Sequence, residues 1–158
     1  MVQDLLVGLV TMTACLTIQA LVVALLLKAL FAAELRQLIN VRLAGASLLL
    51  LAVMLGLLVG NLLQIALWAV LFHSHGEFES FGVAFYHSVV NFTTLGYGDL
   101  VMSEGNRILG ALEALNGVLM IGITTGFLFM VLTNLAQRAW KRQIAEREAS
   151  SDQSPAHE

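Results

Sequence analysis

The stretch Val90–Leu100, VNFTTLGYGDL, carries most of the polar chemistry in the middle of the chain. It offers the hydroxyls of Thr93 and Thr94, the phenol of Tyr97, the carboxylate of Asp99, and a backbone freed by Gly96 and Gly98. These are oxygens and flexible peptide units, not a nucleophile set beside a base. No GxGxxG or Walker sequence occurs elsewhere, and no catalytic constellation appears, so the chain does not read as an enzyme. His73 and His75 form an H-x-H pair, but no cysteine or second cluster lies near it in sequence. An ordinary loop is the better reading of that pair than a metal site. The question is why threonines and glycines gather at this one place.

The segments on either side set the terms. The chain has 158 residues, of which 58% are hydrophobic and 12% charged. That charged share is about half the usual one for a soluble protein. Leu5–Phe31, Leu43–Phe72 and Ile108–Leu135 are long apolar runs, the last holding the single charge Glu113. Each exceeds the roughly 20 residues needed to span a hydrocarbon core about 30 Å thick. The sequence therefore predicts an all-α membrane protein with three transmembrane helices. The first run begins Val2-Gln3-Asp4 without a positive charge and is too long for a signal-peptide core, so it is expected to be retained.

Charge distribution predicts an orientation. Lys28, Arg36 and Arg42 surround the link between the first two helices, and Arg138, Lys141, Arg142 and Arg147 follow the third. Glu77, Glu79, Asp99 and Glu104 lie between the second and third, with Arg107 the only base. The positive-inside rule then puts the amino terminus outside and the carboxyl terminus in the cytoplasm of a cell membrane, plasma or inner. Cys15, the only cysteine, lies in an apolar helix, which leaves no intrachain disulfide. Gln137–Ala149 reads as a separate short charged helix with Trp140 at the membrane boundary, and SSDQSPAHE as a disordered tail.

Between the second and third helices, HSHGEFES is a polar connection and FGVAFYHSVVNFTT turns apolar again for a length too short to span. That pattern predicts a re-entrant helix. Irregular backbone at membrane depth survives only where protein buries it or where it lines a watery cavity. TLGYGD directly after such a helix therefore implies a pore.

TTLGYGD resembles the potassium-channel signature, with Leu95 where valine is usual. The resemblance covers an outer helix (Ser47–Phe72), a pore helix (Ser80–Phe92) and an inner helix (Asn106–Leu135), and it implies a homotetramer around a central axis. A dehydrating K+ needs oxygens in place of its water shell, and Gly96 and Gly98 permit the alternating backbone angles that aim carbonyls inward. The resemblance implies K+ sites at the carbonyls of Thr94, Leu95, Gly96 and Tyr97, within a filter that runs to Gly98, and at the Thr94 hydroxyl. It implies that Tyr97 braces the filter from behind. Asp99 would concentrate cations at the outer mouth, and the pore helix, ending near Thr93, would aim its negative dipole end at the cavity. By the same alignment Ala114, Gly117, Val118, Ile121 and Thr125 line the cavity, with Phe129 or Thr133 near an inner gate. No cofactor, nucleic acid or small-molecule substrate is expected; K+ is the permeant ligand and lipids are the surroundings.

The chain departs from the family at its braces. His87 stands where many relatives carry tryptophan, so it either contacts Asp99 or Tyr97, sensing external pH, or is a neutral packed imidazole; the second is favoured. Val90 falls where some relatives have a carboxylate, which leaves Thr93 and Glu113 as further filter supports. Asn61, Gln64, Glu113 and Asn116 are expected to form one interhelical polar cluster. Gly117 suits either a gating hinge or close packing; Gly56 and Gly60 suit packing. The first helix has no arginine array and is not a voltage sensor. The reading divides the chain into an N-terminal helix (1–33), a cytoplasmic linker (34–46), the pore domain (47–135) and a cytoplasmic tail (136–158). Two alternatives stand beside a K+-selective channel: a weakly selective cation channel, and a non-conducting subunit of another channel complex.

Overall fold

The computed structural model describes residues 2–35 and 43–152. The linker bases Arg36 and Arg42, and the polar tail after Asp152, lie outside the described residues. Within the described residues there are four helices: α1 (Val2–Leu35), α2 (Leu43–Ser74), α3 (Phe81–Phe92) and α4 (Arg107–Asp152). Three of them, α1, α2 and α4, are long and apolar enough to cross a membrane. The chain is a multi-pass, all-helical membrane protein.

The predicted break between an inner helix and a separate charged tail helix does not occur. Instead α4 runs unbroken for 46 residues. Between Gly126 and Pro155 the sequence has no glycine or proline, and Leu, Ala, Gln, Arg, Lys and Glu sustain a helix well. At 1.5 Å per residue the rod is roughly 70 Å long, more than twice the hydrocarbon thickness.

Polar residues inside α1 are handled locally. Thr11, Thr13 and Thr17 each donate a hydroxyl hydrogen bond of 2.8–2.9 Å to the carbonyl four residues earlier. Hydroxyls in hydrocarbon thus have partners without help from another helix.

Two clusters hold the bundle. Near the glycine-rich stretch, Trp68, Phe72, Phe78, Leu109, Met120 and Cys15 are buried together. At the other end, Val53, Leu57, Phe127 and Val131 form a second cluster. α1 packs on both α2 and α4, and glycines mark the close approaches. A Cβ at Gly56 would meet Leu26 at 2.8 Å, and one at Gly60 would meet Val22 at 3.2 Å. Gly8 lies tighter still, against Leu112 and Leu109 of α4. The packing expected at Gly56 and Gly60 is thus what α1 uses, since small residues let helix backbones approach in lipid.

The expected cluster of Asn61, Gln64, Glu113 and Asn116 does not assemble. Gln64 donates instead to Gln19 of α1 at 2.9 Å. Glu113 accepts from Asn91 of α3, and Asn116 lies against the Cys15 thiol of α1. α3 supplies the partner of Glu113, and α1 supplies those of Gln64 and Asn116. Gln19 is 1% exposed and was legible in sequence only as a polar break in an apolar run.

Candidate functional site

α3 has 12 residues, roughly 18 Å of helix, which cannot cross a hydrocarbon core. Its start is set by Ser80, whose hydroxyl accepts from the Val83 N–H, satisfying one orphan donor of the first turn. It buries one face, Ala84, His87, Ser88, Val90 and Phe92, against α2 and α4. Its end is set by Thr93, whose N–H and hydroxyl both donate to the Val89 carbonyl, at 3.2 and 2.7 Å.

The stretch beyond is tied back to α3 through its N–H groups. Thr94 N–H donates to the Asn91 carbonyl at 2.9 Å. Leu95 and Gly96 both donate to the Val90 carbonyl, at 3.0 and 3.2 Å. Val90 was singled out for lacking a carboxylate, yet its backbone oxygen anchors two consecutive peptide groups of the stretch. Positive φ then recurs at every second residue: 61° at Thr94, 58° at Gly96 and 73° at Gly98. Alternation between right- and left-handed backbone gathers like polar groups on one side of the chain, whereas a strand would point its carbonyls alternately to opposite sides. Glycine adopts this at little cost. For β-branched Thr94 it costs on the order of 1–3 kcal/mol, so the surroundings must impose it.

Within the single chain the stretch is open. Leu95 is 55% and Tyr97 67% exposed, and a Cβ placed at Gly96 or Gly98 would meet nothing within 4 Å. Asp99 is held at both oxygens: Oδ2 accepts from the Tyr86 hydroxyl at 2.8 Å and Oδ1 from the Leu100 N–H at 3.1 Å. That bond holds the Tyr86 phenol above its ordinary pKa, because the neighbouring carboxylate favours the protonated form.

His87 does not take that role. Its ring packs on Phe78 at 4.7 Å and Phe72 at 5.6 Å between centroids, and it is buried. Burial pushes the imidazole below its ordinary pKa, although the Leu100 backbone and the charges of Asp99 and Glu77 oppose this. This is the packed imidazole of the favoured reading. Tyr86, its neighbour, is the residue that sequence reasoning missed; a phenol one position before the histidine was the available signal.

A second missed residue is Glu77, in the connection from α2 to α3. It accepts from the Ser103 N–H at 2.8 Å, the Ser103 hydroxyl at 2.6 Å and the Asn106 amide. It therefore clasps the segment that leads from the glycine-rich stretch into α4. Burial alone would raise this carboxyl, but the bonds from Asn106 and Ser103 outweigh it and hold the group below its ordinary value. The nearby imidazoles are occupied: His73 Nδ1 bonds the Phe78 carbonyl and His75 Nδ1 the Leu71 carbonyl. Among the described residues no group of three metal-binding side chains comes together.

On the α4 side, Asn91 Nδ2 donates to Glu113 Oε2 and to the Gly110 carbonyl, both at 2.7 Å. Glu113 is fully buried. Gly117 lies hard against the end of α3, where an added Cβ would fall 1.8 Å from the Phe92 carbonyl oxygen. Of the other positions assigned to a cavity and gate, Ala114 is half-buried and Thr125 exposed, while Val118, Ile121 and Phe129 are 54%, 49% and 71% exposed in the single chain.

Residues 45–134 match the family Ion_trans_2, described as ion channel. The chain is 48% identical over 48 residues to the potassium voltage-gated channel subfamily A member 2 of Oncorhynchus mykiss, covering 30% of this chain and 10% of that one. It is 38% identical over 77 residues to the potassium voltage-gated channel protein Shal of Drosophila melanogaster, covering 46% of this chain and 13% of that one. To the A-type voltage-gated potassium channel KCND3 of Rattus norvegicus it is 33% identical over 78 residues, covering 47% and 12%. The chain thus spans only about a tenth of the length of these relatives. No solved structure gives a significant match.

Proposed function

Because this chain belongs to the ion channel family Ion_trans_2, as a pore domain related to potassium channels and not an enzyme, we propose that it is a K+-selective channel subunit. Four copies surround one axis, and the carbonyls of Thr94, Leu95, Gly96 and Tyr97, with the Thr94 hydroxyl, replace the hydration shell of the passing ion. The observation that carries this reading is the recurrence of positive φ at Thr94, Gly96 and Gly98. A turn needs one such residue; a row of oxygens facing one way needs the repeat.

The supporting parts follow in order. α2, α3 and α4 form the pore domain, residues 47–135, and α1 is an added helix packed on it. Asp99 gives the outer mouth a negative charge that raises the local cation concentration. The carboxyl end of α3 faces the cavity with its partial negative charge. Val118, Ile121 and Thr125 line that cavity, and Phe129 stands toward its inner end. Gly117 serves close packing of α4 on α3, which makes the junction of filter and inner helix a rigid one. The amino terminus faces out and the basic end of α4 faces the cytoplasm.

The test is flux. Purified protein in liposomes should pass K+ down its gradient, with block by Ba2+, and reversal potentials in mixed K+ and Na+ should follow the K+ gradient. Equal permeability to Na+ would replace selectivity by general cation conduction. Absence of flux at every voltage and pH would favour a non-conducting subunit.

A further inference from the structure

The end of the bundle remote from the filter contains a feature that ion conduction does not use. A groove of about 230 Å³ lies between Leu27, Leu30 and Phe31 of α1, Leu49 of α2 and Met130 of α4, with Arg138 at its end. Its volume is below the roughly 300–1,000 Å³ of pockets for drug-sized ligands, and its lining is mostly aliphatic. Leu27–Phe31 and Met130 belong to the membrane-spanning parts of α1 and α4. In hydrocarbon surroundings such a groove admits a linear apolar chain, not water.

The polar end adds a charge preference. Beyond Met130 the same helix brings Arg138, Lys141, Arg142 and Arg147 in succession, directly after its apolar part. Four bases placed there attract anionic headgroups across a Debye length, each contributing to the affinity. Trp140, 65% exposed in their midst, suits the membrane–water boundary.

We propose that this groove is a binding site for an anionic phospholipid: one acyl chain lies between α1 and α4, and the headgroup phosphate meets Arg138 and Lys141. Since α1 and α4 supply facing walls, the bound lipid fastens the added helix to the inner helix of the pore. A zwitterionic lipid fills the same groove but gains nothing from the bases.

The experiment uses the full chain purified in detergent micelles, with native mass spectrometry counting the lipids retained. Phosphatidylglycerol and phosphatidylcholine of identical chains are supplied in turn. Phosphatidylglycerol should be retained with at least about fivefold preference, the scale of one basic contact at a membrane surface. Arg138→Gln with Lys141→Gln should bring the two lipids to near equality, and Leu30→Trp, which fills the groove, should reduce retention of both. Neither Arg138 nor Lys141 is buried, so the charge variant keeps the test valid if Leu30→Trp does not fold. Equal retention of both lipids by the unmodified chain overturns the proposal, as does an unchanged preference in the charge variant. Competition by glycerol phosphate alone, without acyl chains, also overturns it. So does a groove covered by a second copy, seen as a changed chain number for Leu30→Trp with lipid retention intact.

Discussion

The hydroxyl of Tyr86 stands 2.8 Å from Oδ2 of Asp99, joining the middle of α3 to the residue that follows Gly98. The N–H groups of Leu95 and Gly96, donating to the Val90 carbonyl, hold the near end of the glycine-rich stretch, and this bond holds the far end. Tyr86→Phe removes it while keeping the ring. The conducting fraction of channels should fall several-fold, read as open probability in symmetrical K+. His87→Phe, by contrast, should leave the dependence of current on external pH unchanged, because the ring packs on Phe72 and Phe78 and burial lowers its pKa. An unaltered open probability in Tyr86→Phe would remove the tyrosine from the support of the filter.

Asn91 and Glu113 should behave as a coupled pair. Hydrogen bonds between membrane helices contribute about 0.6 kcal/mol on average and up to about 1.7. A double-mutant cycle of Asn91→Ala and Glu113→Ala, followed by unfolding in mixed micelles, should return a coupling energy of about 1 kcal/mol. Additive single effects would mean that the 2.7 Å contact carries no net stabilisation.

Gly117 and Gly122 should respond oppositely to alanine. At Gly117 the added methyl meets backbone atoms of Phe92, which cannot rotate away. Overpacking of this kind costs about 1–3 kcal/mol or more, so Gly117→Ala should lower the yield of assembled protein and abolish current. Gly122 has nothing within 4 Å of the added position in the chain, and Gly122→Ala should assemble normally on size-exclusion chromatography. Normal current from Gly117→Ala would refute close packing at this position.

The Glu77 clasp should be sensitive to acid in one direction only. Its folded-state pKa lies below the ordinary value of 4.5, so its contribution is complete above that value and is lost as pH falls through the lowered one. Thermal stability attributable to the clasp should be flat between about pH 8 and pH 5 and decline below pH 4.5. Glu77→Ala should lower the melting temperature by a few degrees at neutral pH and remove that acid-dependent component. A clasp component that instead grew as pH fell would contradict the bonds from Ser103 and Asn106.

The backbone of the glycine-rich stretch was legible in the sequence because its geometry is local: residue types and spacing alone carry the alternation that Thr94, Gly96 and Gly98 display. The spanning helices were legible for a similar reason, since length and polarity are properties of a segment. What could not be read was register between segments. Gln64 and Glu113 count to similar depths from their helix ends, yet one finds Gln19 and the other Asn91, because α1 and α3 come between. Which of Tyr86 and His87 meets Asp99 was not legible, because neighbouring residues of a helix point about 100° apart and packing on Phe72 and Phe78 decides which faces inward. The uninterrupted α4 was readable in principle, from the absence of glycine and proline between Gly126 and Pro155.

That uninterrupted α4 has a mechanical consequence. A rod of 46 residues leaves roughly 30 Å of helix beyond the bilayer, and no glycine or proline after Gly126 softens it. Its membrane part packs at Gly117 against the end of α3, and its far part carries Trp140 and the basic residues. A tilt of about 10° at the membrane sweeps the far tip by roughly 5 Å. A displacement at the tip is therefore carried along one stiff helix to the contact between Gly117 and Phe92.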